Sequence, residues 1–302
     1  DAVINNILLY VATVLVWGSS WLGIKFQYGV VAPGTSVVYR FALAAAIMVA
    51  FCLFTNRNLL WPLRHQIPVA IQGCLLFGIN FYLIYHGTQY ITSGLAAVLF
   101  STVVIMNIIG NAIMFRTRIS KRVASGALVG LVGITTVFWR EIQAFDTASD
   151  TTTGIFLVLA GTLSASLGML SSALFQRRGL PVIETTTLGM VYGAIFSFAA
   201  SWALGYEFNF DMSIGYIGSL FYLAIFASVI GFICYLTLLG KIGADRASYA
   251  TVVFPLVSLT LSTFFEDFQW TVFTISGTAL IVFGNVIILT KTKAERAEKK
   301  AS

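Results

Sequence analysis

Charge is scarce in this sequence. Lys, Arg, Asp and Glu together make up 10% of its 302 residues, whereas hydrophobic residues make up 58%. A soluble domain carries about 25% charged residues, so the composition excludes an ordinary soluble globular protein. The net charge of +6 does not indicate a nucleic-acid partner, because most of the basic residues lie in short linkers between apolar runs or in the C-terminal tail.

Cysteine and histidine are also few. Cys52, Cys74 and Cys234 stand far apart in apolar runs, and the two histidines are His65 and His86. None of these spacings is typical of a metal or redox site, and no P-loop pattern is present. No acid lies deep in an apolar run either, so a general acid–base pair is missing. We therefore expect no metal, no cofactor and no enzymatic activity.

The apolar residues fall into ten long runs. A bilayer core about 30 Å thick is crossed by a helix of about 20 apolar residues, and the runs are close to that length. We predict transmembrane helices at residues 6–27, 33–54, 66–88, 92–114, 120–139, 152–175, 183–205, 213–238, 247–265 and 270–290. The predicted fold class is therefore an all-α integral membrane protein with ten transmembrane helices.

Basic residues are distributed unevenly between the linkers. If both termini are cytoplasmic, 15 of the 18 Lys and Arg residues lie in cytoplasmic linkers or in the C-terminal tail. The opposite linkers contain Arg140 and several acids, among them Glu207 and Glu266. Because Lys and Arg are retained on the cytoplasmic side, we predict cytoplasmic N- and C-termini. The basic tail is expected to lie near anionic lipid.

The second half of the chain weakly repeats the first. Residues 90–138 align with residues 241–289 without gaps. This alignment places Gly126 on Gly277 and Gly133 on Gly284. Each half has five predicted helices, an odd number, so the two halves enter the membrane from opposite sides. The predicted architecture is two inverted five-helix repeats, residues 1–145 and 146–302, in one membrane domain. Inverted repeats are typical of secondary transporters, which bind substrate near the midplane.

Polar and aromatic side chains inside the apolar runs are the candidate substrate site. Such groups are costly in lipid and usually face the protein interior. The candidates are Trp17, Trp21, Lys25, Arg40, Tyr82, Tyr85, His86, Asn107 and Asn111. They offer two cations, several rings and no carboxylate. This set suits an organic substrate that has a carboxylate and an apolar or aromatic body.

Structural roles are the alternative for several of these residues. Lys25 could extend its ammonium to the membrane interface, and Arg40 could be held by carbonyls or water. Tyr85 and His86 could belong to an interfacial aromatic belt. Asn107 and Asn111 could form interhelical hydrogen bonds. Proton-coupled transporters use embedded acids or histidines, and since His86 is the one embedded candidate, we expect facilitated transport or exchange.

The stretch "WGSSWLGIKF" from Trp17 to Phe26, followed by Pro33 and "YRFALAAAI", resembles the drug/metabolite transporter superfamily. It is most similar to the ten-helix, two-repeat exporters of the EamA type. The second half fits through Pro255 and Glu266. The first half departs from the pattern, because Val104 and Phe115 stand at the aligned positions.

This resemblance implies export of metabolites by alternating access, from a bacterial inner membrane. The aromatic-rich first and third spans further resemble the aromatic amino-acid exporters of the superfamily. We expect a monomer whose partners are the lipid bilayer and a small molecule, most simply an amino acid. An antiporter for phosphorylated sugars or nucleotide sugars is the main alternative. A channel or a membrane enzyme is less well supported, because neither a filter loop nor a catalytic pair is evident.

Overall fold

The computed structural model describes residues 2–116, 119–137, 139, 150–242 and 249–289. All regular structure within these ranges is helical. The linker 140–149, the repeat boundary predicted at 145/146 and the basic tail lie outside the described residues.

Helices occupy all ten predicted spans. They are α1 (Ala2–Lys25), α2 (Pro33–Phe54), α3 (Leu63–Gly87), α4 (Ser93–Phe100 and Val103–Phe115), α5 (Lys121–Val137), α6 (Asp150–Arg177), α7 (Val182–Ala203), α8 (Ile214–Phe221, Tyr222–Ile230 and Gly231–Ile242), α9 (Tyr249–Phe265) and α10 (Val272–Leu289). Among the residues that the structure describes, seven helices are long and apolar enough to cross a membrane individually, namely α1, α2, α3, α4, α6, α7 and α8. The apolar parts of α9 and α10 are shorter. The protein is an integral membrane protein, and its described residues form ten helices and no strand.

Local sequence signals account for several helix ends. Pro33 begins α2, where its missing N–H and fixed φ are compatible with a first helical turn. The side chains of Thr92 and Ser213 cap α4 and α8 by accepting hydrogen bonds from Leu95 N and Tyr216 N. We call the membrane face where α1 ends the Lys25 face, and the opposite face, beyond the end of α2, the Arg57 face.

The helices of the two halves make equivalent packing contacts. Helix α1 packs against α8 and α9, and α6, its counterpart, packs against α3 and α4. Helix α2 packs against α7, and α5 packs along α10. This equivalence is expected for two inverted repeats.

Glycines allow the closest of these contacts, between α5 and α10. A Cβ atom on Gly133 would lie 2.7 Å from the carbonyl oxygen of Gly277, and one on Gly284 would lie 2.6 Å from that of Gly126. These are the glycines that the sequence repeat aligns. They bring the two backbones close enough for van der Waals packing, which is the main attraction between helices in lipid.

Three of the helices are not regular α-helices, which the sequence did not predict. A π-helical segment occupies Cys74–Ile79 in α3, and another occupies Tyr222–Ile230 in α8. With the repeat offset of 151 residues (241 − 90), the second segment aligns with residues 71–79 and overlaps the first. Helix α4 is interrupted at Ser101 and Thr102, although no proline is present there.

Candidate functional site

A cavity of about 50 Å³ lies in the middle of the helix bundle, between the two halves. Helices α1 to α4 contribute its lining from the first half, and α6, α8 and α9 contribute from the second. Most of the lining is aromatic or aliphatic. The rings are those of Trp17, Trp21, Phe81, Phe100, Phe232 and Phe254.

Arg40 is the charged residue in the lining. Its side chain is only 2% exposed. Nε donates to Ser228 Oγ over 3.0 Å, and Nη1 donates to the hydroxyl of Tyr85 over 3.3 Å. The guanidinium carbon also lies 4.5 Å from the centre of the Phe81 ring, a distance that permits a cation–π interaction.

No carboxylate forms an ion pair with Arg40 in the described part of the chain. Burial of a charged group without a counter-ion costs several kcal/mol. Two neutral acceptors and a ring offset only part of this cost. Nη2 has no hydrogen-bond partner among the described residues. The described residues therefore neutralise the buried charge of Arg40 only in part.

Trp17 is fixed to the second half by its indole nitrogen. Nε1 donates to the carbonyl oxygen of Ala227 over 3.1 Å, and the indole packs against the rings of Phe232 and Tyr235. Gly231 leaves space for it, because a Cβ atom there would lie 2.5 Å from Nε1.

The π-helical segment of α8 supplies the acceptors for both Trp17 and Arg40. Ala227 provides a backbone carbonyl and Ser228 a hydroxyl, and both residues lie in Tyr222–Ile230. A π-helix bonds residue i to i+5, so it redirects carbonyls and side chains relative to an α-helix, and such segments are frequent at functional sites. The first-half π segment contributes Leu76 to the cavity lining.

Lys25 does not line the cavity. It lies near the Lys25 face, where its Nζ is 3.5 Å from Glu266 Oε1. It also donates to the carbonyl oxygens of Thr88 and Ile91, over 2.6 and 2.8 Å. Its ammonium is thus occupied by partners within the protein.

The three candidates on α3 divide between two environments. Tyr85 is fully buried and accepts the hydrogen bond from Arg40. Tyr82 and His86 instead stack on each other, and His86 Nε2 lies 3.2 Å from the hydroxyl of Tyr206. These two form a cluster beside the end of α7, away from the cavity lining.

The two asparagines of α4 also lie outside the lining. Asn107 accepts from Ser166 Oγ over 2.7 Å, and its amide nitrogen is 3.8 Å from the sulfur of Met169. This is the interhelical hydrogen bond, from α4 to α6, that was the alternative to a substrate contact. Asn111 is partly buried.

Sequence reasoning did not identify several residues of this region. Ser228 lies in an apolar run that includes Phe226 and Val229, and no periodic signal distinguishes it from a packing serine. Glu266 was assigned to a linker, although its side chain is only 11% exposed. Neither contact could be read from the sequence, because Ser228 is 188 residues from Arg40.

An inverted repeat with a cavity of this kind between its halves is the architecture of a secondary transporter. The profile of the EamA-like transporter family matches residues 5–139 and 152–290. The chain belongs to this family, and so to the drug/metabolite transporter superfamily.

Relatives of similar length extend this finding. An "Uncharacterized transporter in trpA 3'region" of Buchnera aphidicola subsp. Schlechtendalia chinensis is 25% identical, with 87% of this chain and 84% of the relative aligned. The "Uncharacterized inner membrane transporter YedA" of Escherichia coli K12 is 28% identical, with 83% and 80% aligned. A solved crystal structure has the same fold, with a TM-score of 0.69 at 17% identity over 94% of this chain and 96% of that one.

Proposed function

We propose that this membrane transporter exports organic carboxylates with an apolar body, and that aromatic amino acids are its best substrates. The observation that carries the proposal is Arg40, a buried cation without an acidic partner in the described chain, placed against an aromatic cavity. The carboxylate would bind the guanidinium through charge-assisted hydrogen bonds. Trp17, Trp21 and Phe81 would contact the apolar body.

The cavity must enlarge to hold such a substrate. Ligand pockets have volumes of about 300 Å³ or more, and the present cavity measures about 50 Å³. The conformational change of alternating access would supply this enlargement. Rotation of the lining rings and separation of the two halves would provide the additional space.

We propose facilitated transport or exchange as the mechanism. No acid, histidine or lysine is among the residues that line the cavity in the described part of the chain. Proton-driven transporters typically place such groups in the translocation path. The single cation also favours a carboxylate over a sugar phosphate, for which several converging basic groups would be needed.

The orientation and location follow from the same reasoning. We place both termini in the cytoplasm, so that the Lys25 face is external and the Arg57 face is cytoplasmic. The E. coli relative carries the name of an inner-membrane transporter, and we extend that location to this chain. We also propose a monomer as the working unit.

Uptake into liposomes that contain only the purified protein tests this function. Labelled phenylalanine, tryptophan, alanine and lysine would be offered with and without a pH gradient. We expect saturable uptake that favours the aromatic substrates and does not need a gradient. Uptake that occurs only with a gradient would contradict the uncoupled mechanism, and absence of amino-acid uptake would contradict the proposed substrate class.

A further inference from the structure

Helices α1, α4 and α9 contribute the rings of Trp21, Phe100 and Phe254 to the wall of the cavity, and we call these three rings the aromatic layer. The centre of the Trp21 ring lies 5.5 Å from that of Phe100 and 6.3 Å from that of Phe254, and the last two are 6.1 Å apart. The three helices that carry these rings lead from the cavity wall to Lys25, Ser93 and Glu266 at the Lys25 face.

The same three helices are joined a second time, closer to the membrane face. The backbone N–H of Ser93, at the first turn of α4, lies 3.1 Å from both carboxylate oxygens of Glu266, and the Ser93 hydroxyl also donates to Oε2. Lys25, at the end of α1, pairs with the same carboxylate. Glu266 therefore holds the start of α4 and the end of α1 together.

Lys25 extends this polar layer to the linker between α3 and α4, through the carbonyl oxygens of Thr88 and Ile91. Tyr28 closes it on the other side, where its hydroxyl donates to the carbonyl oxygen of Tyr85 over 2.7 Å.

The outer part of α4 is a short helix with a break at its inner end. It runs from Ser93 to Phe100 and is separated from Val103–Phe115 by Ser101 and Thr102. Thus one end of the segment is held by Glu266, and the other end, next to the break, carries a ring of the aromatic layer. Rotation of the segment about the break would move both layers together.

We propose that Ser93–Phe100 is the outer gate of the transporter, that Ser101 and Thr102 are its hinge, and that Glu266 with Lys25 is the latch that keeps it closed. This inference rests on the transport function proposed above. The position aligned with Glu266 in the first repeat is Phe115, so the sequence of the other half carries no carboxylate there. The latch therefore controls the Lys25 face specifically.

Accessibility of the cavity from the Lys25 face tests the latch without any substrate. The native cysteines Cys52, Cys74 and Cys234 are replaced by alanine, and Ser20→Cys, in the cavity lining, serves as the reporter. Right-side-out membrane vesicles are treated with a membrane-impermeant methanethiosulfonate. We expect slow labelling with the latch intact and labelling about tenfold faster or more with Glu266→Gln, which loses charge-assisted hydrogen bonds.

The matched control is the ion pair at the opposite face. Arg57 Nη1 lies 3.1 Å from Glu184 Oε1, with exposures of 36% and 10% that resemble those of the latch, 23% and 11%. Glu184→Gln should leave labelling of Cys at position 20 unchanged from the Lys25 face. Lys25→Met provides a second latch variant if Glu266→Gln does not fold.

A cross-link that holds the gate closed is the complementary test. In the same background, Ser93→Cys with Glu266→Cys is closed by a short bifunctional thiol reagent that a reducing agent can cleave. We expect the cross-link to slow labelling of the reporter and reduction to restore it. Equal labelling rates in the latch variants and in the parent, or no effect of the cross-link, would overturn the gate. Neither result depends on the identity of the substrate, so the role proposed for Arg40 would be unaffected.

Discussion

Replacement of Ser228 by alanine tests whether the π-helical segment of α8 positions Arg40 for the proposed carboxylate substrate. Ser228 is fully buried, and its hydroxyl accepts from Arg40 Nε over 3.0 Å. A hydrogen bond to a charged group contributes about 1.5–3 kcal/mol, which corresponds to about a 10- to 150-fold change in an equilibrium constant. We expect the KM for phenylalanine in Ser228→Ala to rise by up to the lower of these factors, because the guanidinium loses the contact that orients it beside the cavity.

The assay is initial-rate uptake into liposomes, together with the thermal stability of the purified variant. Ser219→Ala is the matched control, because Ser219 lies on the same helix and accepts from Gln27 Nε2 over 2.6 Å, away from the cavity lining. Both variants leave a buried donor without its acceptor, so both should lose stability. Only Ser228→Ala should weaken binding. A lower melting temperature with an unchanged KM in Ser228→Ala would show that Ser228 acts on stability alone and would refute the reasoning.

Two further predictions concern residues on either side of this site. Gly231→Ala places a methyl group 2.5 Å from Trp17 Nε1, so we expect it to displace the indole and lower transport. The overpacking should cost about 1–3 kcal/mol of folding stability, which a melting curve would detect. Wild-type uptake in that variant would count against the role of Trp17. His86→Gln should leave substrate preference and KM unchanged, because His86 contacts Tyr206 rather than the cavity. A changed preference in competition uptake would show that His86 contributes to substrate binding.

The ten helices could be predicted because the membrane fixes the length of an apolar run that can cross it. The irregularities inside three of them could not. Proline occurs within α3 at Pro68 and within α9 at Pro255, yet the π segments and the break in α4 lie elsewhere. The π segment of α3 instead begins beside a close contact between helices. It directly follows Gly73, where a Cβ atom would lie 2.4 Å from the carbonyl oxygen of Gly189.

The centre of the site was predictable for a similar reason. Arg40, Trp17 and Trp21 lie deep in apolar runs, where burial requires an explanation, and the structure brings them to one cavity. The position of Lys25 outside the cavity lining could not be predicted. Its partner Glu266 is 241 residues away (266 − 25) in a different repeat, and only the fold brings the two side chains together.

Tyr82 and Tyr85 show that a small difference in direction around a helix decides whether a residue reaches Arg40. Tyr82 and Tyr85 are three residues apart, so they differ by about 60° around a helix of 3.6 residues per turn. That angle is enough to direct Tyr85 to Arg40 and Tyr82 to His86. Sequence periodicity assigns both to one face and cannot resolve the difference.

The most direct test of the central claim compares an acid with its amide. Labelled phenylalanine uptake would be measured in competition with unlabelled phenylalanine and with phenylalaninamide, for the parent protein, Arg40→Gln and the control Arg57→Gln. If Arg40 binds the carboxylate, the amide should compete about tenfold less well in the parent and in the control. This discrimination should disappear in Arg40→Gln. Equal competition in the parent, or discrimination that persists without Arg40, would contradict the account.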